Sequence, residues 1–276
     1  MSTEPIVVGI DGSPGAARAV DWALSWAQVV GSPVRIIASE SVPPGLRQDS
    51  PGLGAKAKAV IDAETERLGD LPSGVEVALT PLVAHPVTAL LEASQTAGAV
   101  VVGTRGSGAY RGSVIGSTSG SVAAAAECPT VVLPPGAAAE FNVDGPIVVG
   151  FDGSESALTA ASLAAQAAGA EGRPLRLVQA EMGVTSPEEP LDDVAAELRA
   201  AHEGVDIELV TVPGGAVEAL TDESRDAAYL VMASQGHRGM PGFLLGSTTR
   251  ALIQSAQCPV VVITARSEQL WPVRSS

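Results

Sequence analysis

The sequence predicts an α/β protein built from two tandem copies of one doubly wound, Rossmann-like domain. Three observations carry this: an internal repeat, short apolar runs alternating with helical patterns, and a composition rich in small aliphatic residues. The segment PIVVGIDGSPGAARA from Pro5 recurs as PIVVGFDGSESALTA from Pro146, so Gly9, Asp11, Gly12 and Ser13 align with Gly150, Asp152, Gly153 and Ser154 at an offset of 141. Near the other end, GSVIGSTSGSVAAAAECPTVVL aligns with PGFLLGSTTRALIQSAQCPVVVI. Gly116, Ser117, Cys128 and Pro129 thus meet Gly246, Ser247, Cys258 and Pro259 at an offset of 130. The first copy therefore carries 11 extra residues, expected in the Pro/Gly-rich stretch SVPPGLRQDSPGLGA. Residues 134–145, PPGAAAEFNVDG, read as a short linker, giving domains at 1–140 and 141–276.

Each copy shows the same order of elements. In the first, IVVGI is a buried strand, followed by a helix through Ala17, Val20, Leu24 and Ala27. PVRIIAS is strand two, and a helix follows from Lys56 to Leu68. Strand three, VEVALTPLV, alternates in its first half and so reads as an edge or half-exposed strand. Pro86 suits the first turn of a helix through Val87, Leu90 and Leu91. AVVVG is strand four; a glycine loop, a helix from Ser117 to about Glu127, and strand five, TVVLP, complete the copy. The second copy repeats the order with LRLVQA, DIELVTV, YLVMA and VVVIT. Strands alternating with helices imply a parallel sheet with right-handed crossovers, five strands to a domain.

Composition excludes several classes. The 276 residues suffice for two domains, each burying its own core. Hydrophobic residues are 46% of the chain and aromatics 3%, which suits helices packed on a parallel sheet. Sixteen basic residues against 31 acidic ones, a formal charge of −15, argue against nucleic acid or an anionic membrane as partner. No apolar run reaches the ~20 residues of a membrane span, and MSTEPIVVGIDGS lacks the basic start of a signal peptide. A soluble, cytoplasmic protein is expected. Cys128 and Cys258 have no metal or redox spacing and read as buried thiols, while Trp22 and Trp26 at helical spacing read as core.

Ligands of such sheets sit beyond the carboxyl ends of the strands, at the switch in strand order. The loop after strand four, GTRGSGAYRGSVIGST, has Gly103, two residues, Gly106, nine residues, then Gly116-Ser117. It leaves a buried strand and opens a helix. Glycines let backbone N–H groups approach phosphate oxygens, and the helix N-terminus adds positive partial charge. Ser117, Thr118 and Ser119 add hydroxyls there; Arg105 and Arg111 either reach phosphates or are simply solvated. Asp11, ending strand one, is either a ribose or adenine ligand or a helix N-cap or turn aspartate. His85 opens a helix, and Gly215 stands in its place in the second copy, which disfavours a shared catalytic role. The chain has no Walker lysine motif, its two lysines (Lys56 and Lys58) lie away from the loop, and no G-x-S-x-G elbow is present. Such a site can bind phosphates and is poorly equipped to break them.

Taken together, GIDGS, the G-2x-G-9x-G-[ST] loop and a closing CPTVVLP resemble the universal stress protein family, over nearly the whole chain and twice. The resemblance implies the adenine nucleotide alpha hydrolase-like fold with strand order 3-2-1-4-5, ATP (with or without Mg²⁺) at the carboxyl edge, and domain pairing through strand five. That pairing is available within one chain, and a homodimer is a further expectation. Carried onto this sequence, Asp11 contacts ribose or adenine, Ser39 lines the adenine pocket, and Gly103, Gly106, Gly116 and Ser117 hold phosphates, with Arg105 and Thr118 beside them. The second-copy counterparts are Asp152, Ala180, Ala233, Gly236, Gly246, Ser247 and Thr248. There the loop reads ASQGHRGMPGFLLGST: Ala233 replaces the first glycine, Gln235 replaces Arg105, and Pro241 aligns with Arg111, while His237 and Arg238 restore some positive charge. A methyl group at 233 either crowds the ligand or is tolerated where the conformation suits Ala; both copies are expected to bind ATP, the first more tightly.

Three functions fit these residues. The first is a nucleotide-dependent regulator of stress response or growth state, acting on a protein partner, with little or no hydrolysis. The second is a slow ATPase or nucleotidyl transferase, for which one carboxylate per site is thin support. The third is an interaction scaffold whose nucleotide is structural.

Overall fold

The computed structural model describes residues 4–48, 50–71, 73–104, 115–181, 191–236 and 245–267. The first copy runs β1 (Ile6–Ile10), α1 (Pro14–Val30), β2 (Val34–Glu40), α2 (Ala55–Leu68), β3 (Val77–Val83), α3 (Pro86–Ser94), β4 (Ala99–Gly103), α4 (Ser117–Ala125) and β5 (Thr130–Leu133). The second repeats it as β6 (Ile147–Gly150), α5 (Glu155–Glu171), β7 (Leu175–Glu181), α6 (Leu191–Ala201), β8 (Ile207–Pro213), α7 (Ala216–Glu223), β9 (Tyr229–Ala233), α8 (Ser247–Ser255) and β10 (Val260–Ile263).

All strands join one ten-stranded sheet of order β3-β2-β1-β4-β5-β10-β9-β6-β7-β8, so each copy has the expected 3-2-1-4-5 order. Pairing is parallel within each copy and antiparallel at the seam, where Val260 faces Val132 and Val262 faces Thr130. The two halves thus form the strand-five pair within one chain. Their carboxyl edges consequently point in opposite directions, and the two candidate sites lie at opposite edges of the sheet.

The central strands are sequestered on both faces, as their unbroken Val and Ile runs require. One face packs against α1, α2, α5 and α6 in a core continuous across both copies; the other packs against α3, α4, α7 and α8. The outer strands β3 and β8 are half-exposed, as the alternation in VEVAL predicts. Trp22 and Trp26 are fully buried, and both cysteines are buried and unbridged. Burial pushes the Cys128 thiol up to about 12 and raises that of Cys258 as well.

Two expectations are corrected. The extra residues of the first copy are not all in the Pro/Gly-rich loop. Three lie in the turn before β3, where residues 69–76 stand against 202–206, and the other eight lie between β2 and the end of α2. Helix α4 ends at Ala125 rather than Glu127. Ala126 is already extended, with φ −62° and ψ 149°, and the Glu127 N–H leaves the helix to donate to Ser94 Oγ at 3.1 Å. The second copy makes the same exit, Gln257 N–H donating to Ser224 Oγ at 2.9 Å.

The linker is packed into the fold. Arg18 of α1 donates to the carbonyls of Pro134, Pro135 and Ala137, and the Phe141 N–H donates to Ser25 Oγ. The Phe141 ring packs against Trp22 and Tyr229, with Arg173 over its face at 4.6 Å. Arg173 pairs with Glu171 at 2.8 Å with both side chains almost fully buried, and Glu171 Oε1 also accepts from Tyr229 OH at 3.0 Å and Trp26 Nε1 at 3.4 Å.

Candidate functional site

The first site begins where β1 ends. Gly12 takes φ +80°, a left-handed conformation that glycine adopts without strain, and turns the chain into α1. Ser13 is the N-cap, its Oγ accepting from the Ala16 N–H at 3.2 Å, and Pro14 supplies the first helical residue. Asp11 is therefore not the cap. Its Oδ1 accepts from the Ser13 N–H at 3.1 Å, an Asx turn that fixes the carboxylate at the strand end, half-buried. Of the two sequence readings of Asp11, the turn role is realised, and it leaves the carboxylate at the sheet edge.

Register assembles the rest. Ile10 pairs with Ala38 and Val8 with Val101, so Ser39 lies beside Asp11 on one side and Gly103-Thr104 on the other. Gly116 N–H donates to Thr104 O at 2.8 Å, which returns the chain to the edge it left, and α4 starts at Ser117 with no described side chain capping it. Its first turn stands at the carboxyl edge between β1 and β4, with Ser117 exposed and Thr118 half-buried. Ser119 does not join them: it is buried, and its hydroxyl donates to Gly103 O at 2.5 Å, latching α4 to β4. Arg105, Gly106 and Arg111 lie outside the described residues.

Gly103 serves a purpose the sequence reading missed. A Cβ there would stand 2.8 Å from the backbone carbon and oxygen of Gly15 in the first turn of α1. Its smallness lets helix and strand cross closely, irrespective of any ligand. The signal was present in the repeat: Gly103 and Gly15 change together, to Ala233 and Ser156.

The second site repeats the frame. Gly153 has φ +81°, Ser154 caps α5, and Asp152 Oδ1 accepts from Ser154 N–H at 3.1 Å. The register β6–β7 sets Ala180 beside Asp152, and Gly246 N–H donates to Ser234 O at 2.8 Å. Helix α8 starts at Ser247-Thr248 without a described side-chain cap, and Thr249 Oγ1 donates to Ala233 O at 2.9 Å, matching Ser119. Two serine hydroxyls stand beside Asp152 here. Ser154 Oγ donates to Asp152 Oδ1 at 2.6 Å and lies 3.2 Å from Ser156 Oγ, which donates to Gln235 O at 2.7 Å. The Asp152 carboxylate is so close to Gly236 that a Cβ there would collide with Oδ2. His237, Arg238 and Pro241 lie outside the described residues.

Both sites therefore share a carboxylate at the end of one strand and, at the end of its neighbour, a helix start that no described side chain caps. Among the described residues no group of three or more His, Cys, Asp or Glu could hold a metal ion, and no helix is long and apolar enough to cross a membrane.

A doubly wound domain duplicated around this pair of strand ends defines the class, and comparison with known proteins gives the family. Residues 2–134 and 145–264 each match the universal stress protein family, so the chain belongs to it. Its relatives include two universal stress proteins of Mycobacterium tuberculosis. Each is 29% identical to this chain and covers 93% of it, with 94% and 95% of their own lengths covered. A universal stress protein from Archaeoglobus fulgidus has the same fold, with a TM-score of 0.65 at 19% identity over 96% of this chain and 99% of that one.

Proposed function

We propose that this chain is an adenine-nucleotide-binding regulator that takes ATP at the first site and hydrolyses it little or not at all. One observation carries the reading. The fixed Asp11 carboxylate and the N-terminus of α4, which no described side chain caps, flank the β1–β4 switch point, which suits a ligand with hydroxyls at one end and phosphates at the other. Ser39 borders the base end; Gly116, Ser117 and Thr118 border the phosphate end. Gly103 supports the site indirectly, by setting how closely α1 approaches β4.

With a formal charge of −15, the chain offers little positive charge to a triphosphate. A Mg²⁺ ion carried with the nucleotide would supply it, and Asp11 is a carboxylate that could help hold it. ATP that prefers one of two conformations would bias a protein-binding surface by that preference. In this reading the protein works in the cytoplasm. Native mass spectrometry of freshly purified protein should find it carrying one adenine nucleotide per chain, or two. Protein that emerges free of nucleotide and does not bind added ATP would refute the proposal.

A further inference from the structure

We infer that Arg35 is a docking residue for a carboxylate, presented by an acidic segment of a partner protein at the amino edge of the first copy. It lies at the opposite end of the strands from Asp11, and the inference does not depend on nucleotide binding. The internal repeat supplies the comparison. Arg35 and Arg176 are each the second residue of their strand. Alternation puts them on the same face as Ile37 and Val178, toward α3 in one copy and α7 in the other. Arg176 is held by three carboxylates. Its Nε lies 2.8 Å from Glu208 Oε2, and its Nη1 lies 2.8 Å from Glu223 Oε2 and 3.4 Å from Asp226 Oδ1.

The first copy keeps the arginine and loses every one of these acids. Register puts Ala78 beside Arg35 as it puts Glu208 beside Arg176. Ser94 and Ser224 accept the same N–H bond from the chain leaving α4 and α8, so Ala93 stands for Glu223 and Thr96 for Asp226. Among the described residues Arg35 makes no hydrogen bond or ion pair, although the chain has 31 acidic residues to 16 basic ones. Glu76 beside β3 and Glu92 on α3 are exposed and form no ion pair with it. Arg35 is half-buried on a strand, and a guanidinium fork so mounted matches a carboxylate through two parallel hydrogen bonds. The way in is from the sheet edge, where β3 is outermost and both Ala78 and Thr96 are exposed. In the second copy the outer strand β8 fills this place with Glu208. The geometry therefore suits a carboxylate carried on extended backbone.

The test follows the arginine Nε–H signals of the isotope-labelled, full-length chain by NMR during titration with two capped peptides, Thr-Val-Glu-Val-Thr and Thr-Val-Gln-Val-Thr. The Arg35 signal should move saturably with the glutamate peptide, which should bind about tenfold more tightly than the glutamine one, the worth of a hydrogen bond to a charged group. The Arg176 signal should stay in place. Ala78→Glu, at an exposed position, supplies from within the acid that Arg35 lacks and should abolish the response. Arg35→Gln should leave thermal stability unchanged, whereas Arg176→Gln, which strands three carboxylates, should lower it. Equal binding of the two peptides overturns the inference, and so does a response that persists in Ala78→Glu. A loss of stability in Arg35→Gln as large as in Arg176→Gln would mean that Arg35 is engaged within the chain, and overturns it too. Inorganic phosphate that binds at Arg35 and excludes the glutamate peptide overturns the assignment to carboxylates. Each of these results leaves the proposed nucleotide function standing.

Discussion

Asp11 and Asp152 occupy the same turn and make the same Asx bond, while Ser39 beside the first is replaced by Ala180 beside the second. At this scale the sequence was a good guide to which residues gather and a poor guide to what each does. Asp11, Gly116 and Ser117 were readable because the repeat and the strand ends place them together, and Ser39 only through the family resemblance. Ser119 was not: a third hydroxyl at a helix start looks like another donor for ligand until the register turns it inward to Gly103 O. The cysteines were legible as buried thiols, and their chemistry gives a prediction with a definite sign. Burial raises both thiol pKa values, so the folded state favours the neutral form. That contribution is whole below the ordinary thiol value near 9 and is lost as pH rises toward about 12. Urea melts at stepped pH should show stability falling in this window by about 1.4 kcal/mol per pH unit for each thiol. A Cys128→Ala, Cys258→Ala double variant should flatten that fall; an unchanged slope would exclude the thiols as its cause.

Between elements, α1 crosses β4 closely near the first site. Gly103→Ala would press a methyl group into the Gly15 backbone, which is not the yielding end of a flexible side chain. Overpacking of that kind costs about 1–3 kcal/mol, so chemical denaturation without nucleotide should show a loss of that size. A variant as stable as wild type that merely binds ATP less well would return Gly103 to the phosphate role first expected of it. Strands and helices themselves were legible almost throughout, because short Val/Ile runs, helical apolar spacing and the proline at the start of α3 are local features. The placement of the 11 extra residues was not. Their position depends on the lengths of α2 and of the turn before β3, and weak amphipathic pattern at a helix end does not specify where it stops.

For the whole molecule, the two copies share one core and one sheet, and the linker is part of both. Glu171 is the junction: it accepts from Trp26 of the first copy, from Tyr229 of the second, and pairs with Arg173 beneath the linker. Glu171→Gln leaves the buried Arg173 without its counter-charge and should destabilise the entire chain by about 3 kcal/mol. Thermal unfolding of wild type should then appear as one transition. Two separate transitions, with only one displaced by the substitution, would mean that the copies fold independently. None of this seam was legible in PPGAAAEFNVDG, whose composition is that of a loop; a lone Phe141 does not announce the tryptophan and the tyrosine it packs against.

The central claim is nucleotide binding at the first site, and equilibrium titration of the full-length chain with Mg·ATP tests it most directly. Wild type should show a tight site that Asp11→Ala weakens by about tenfold or more, the worth of a hydrogen bond to a charged group. Asp11→Ala binding ATP as tightly as wild type would contradict the account.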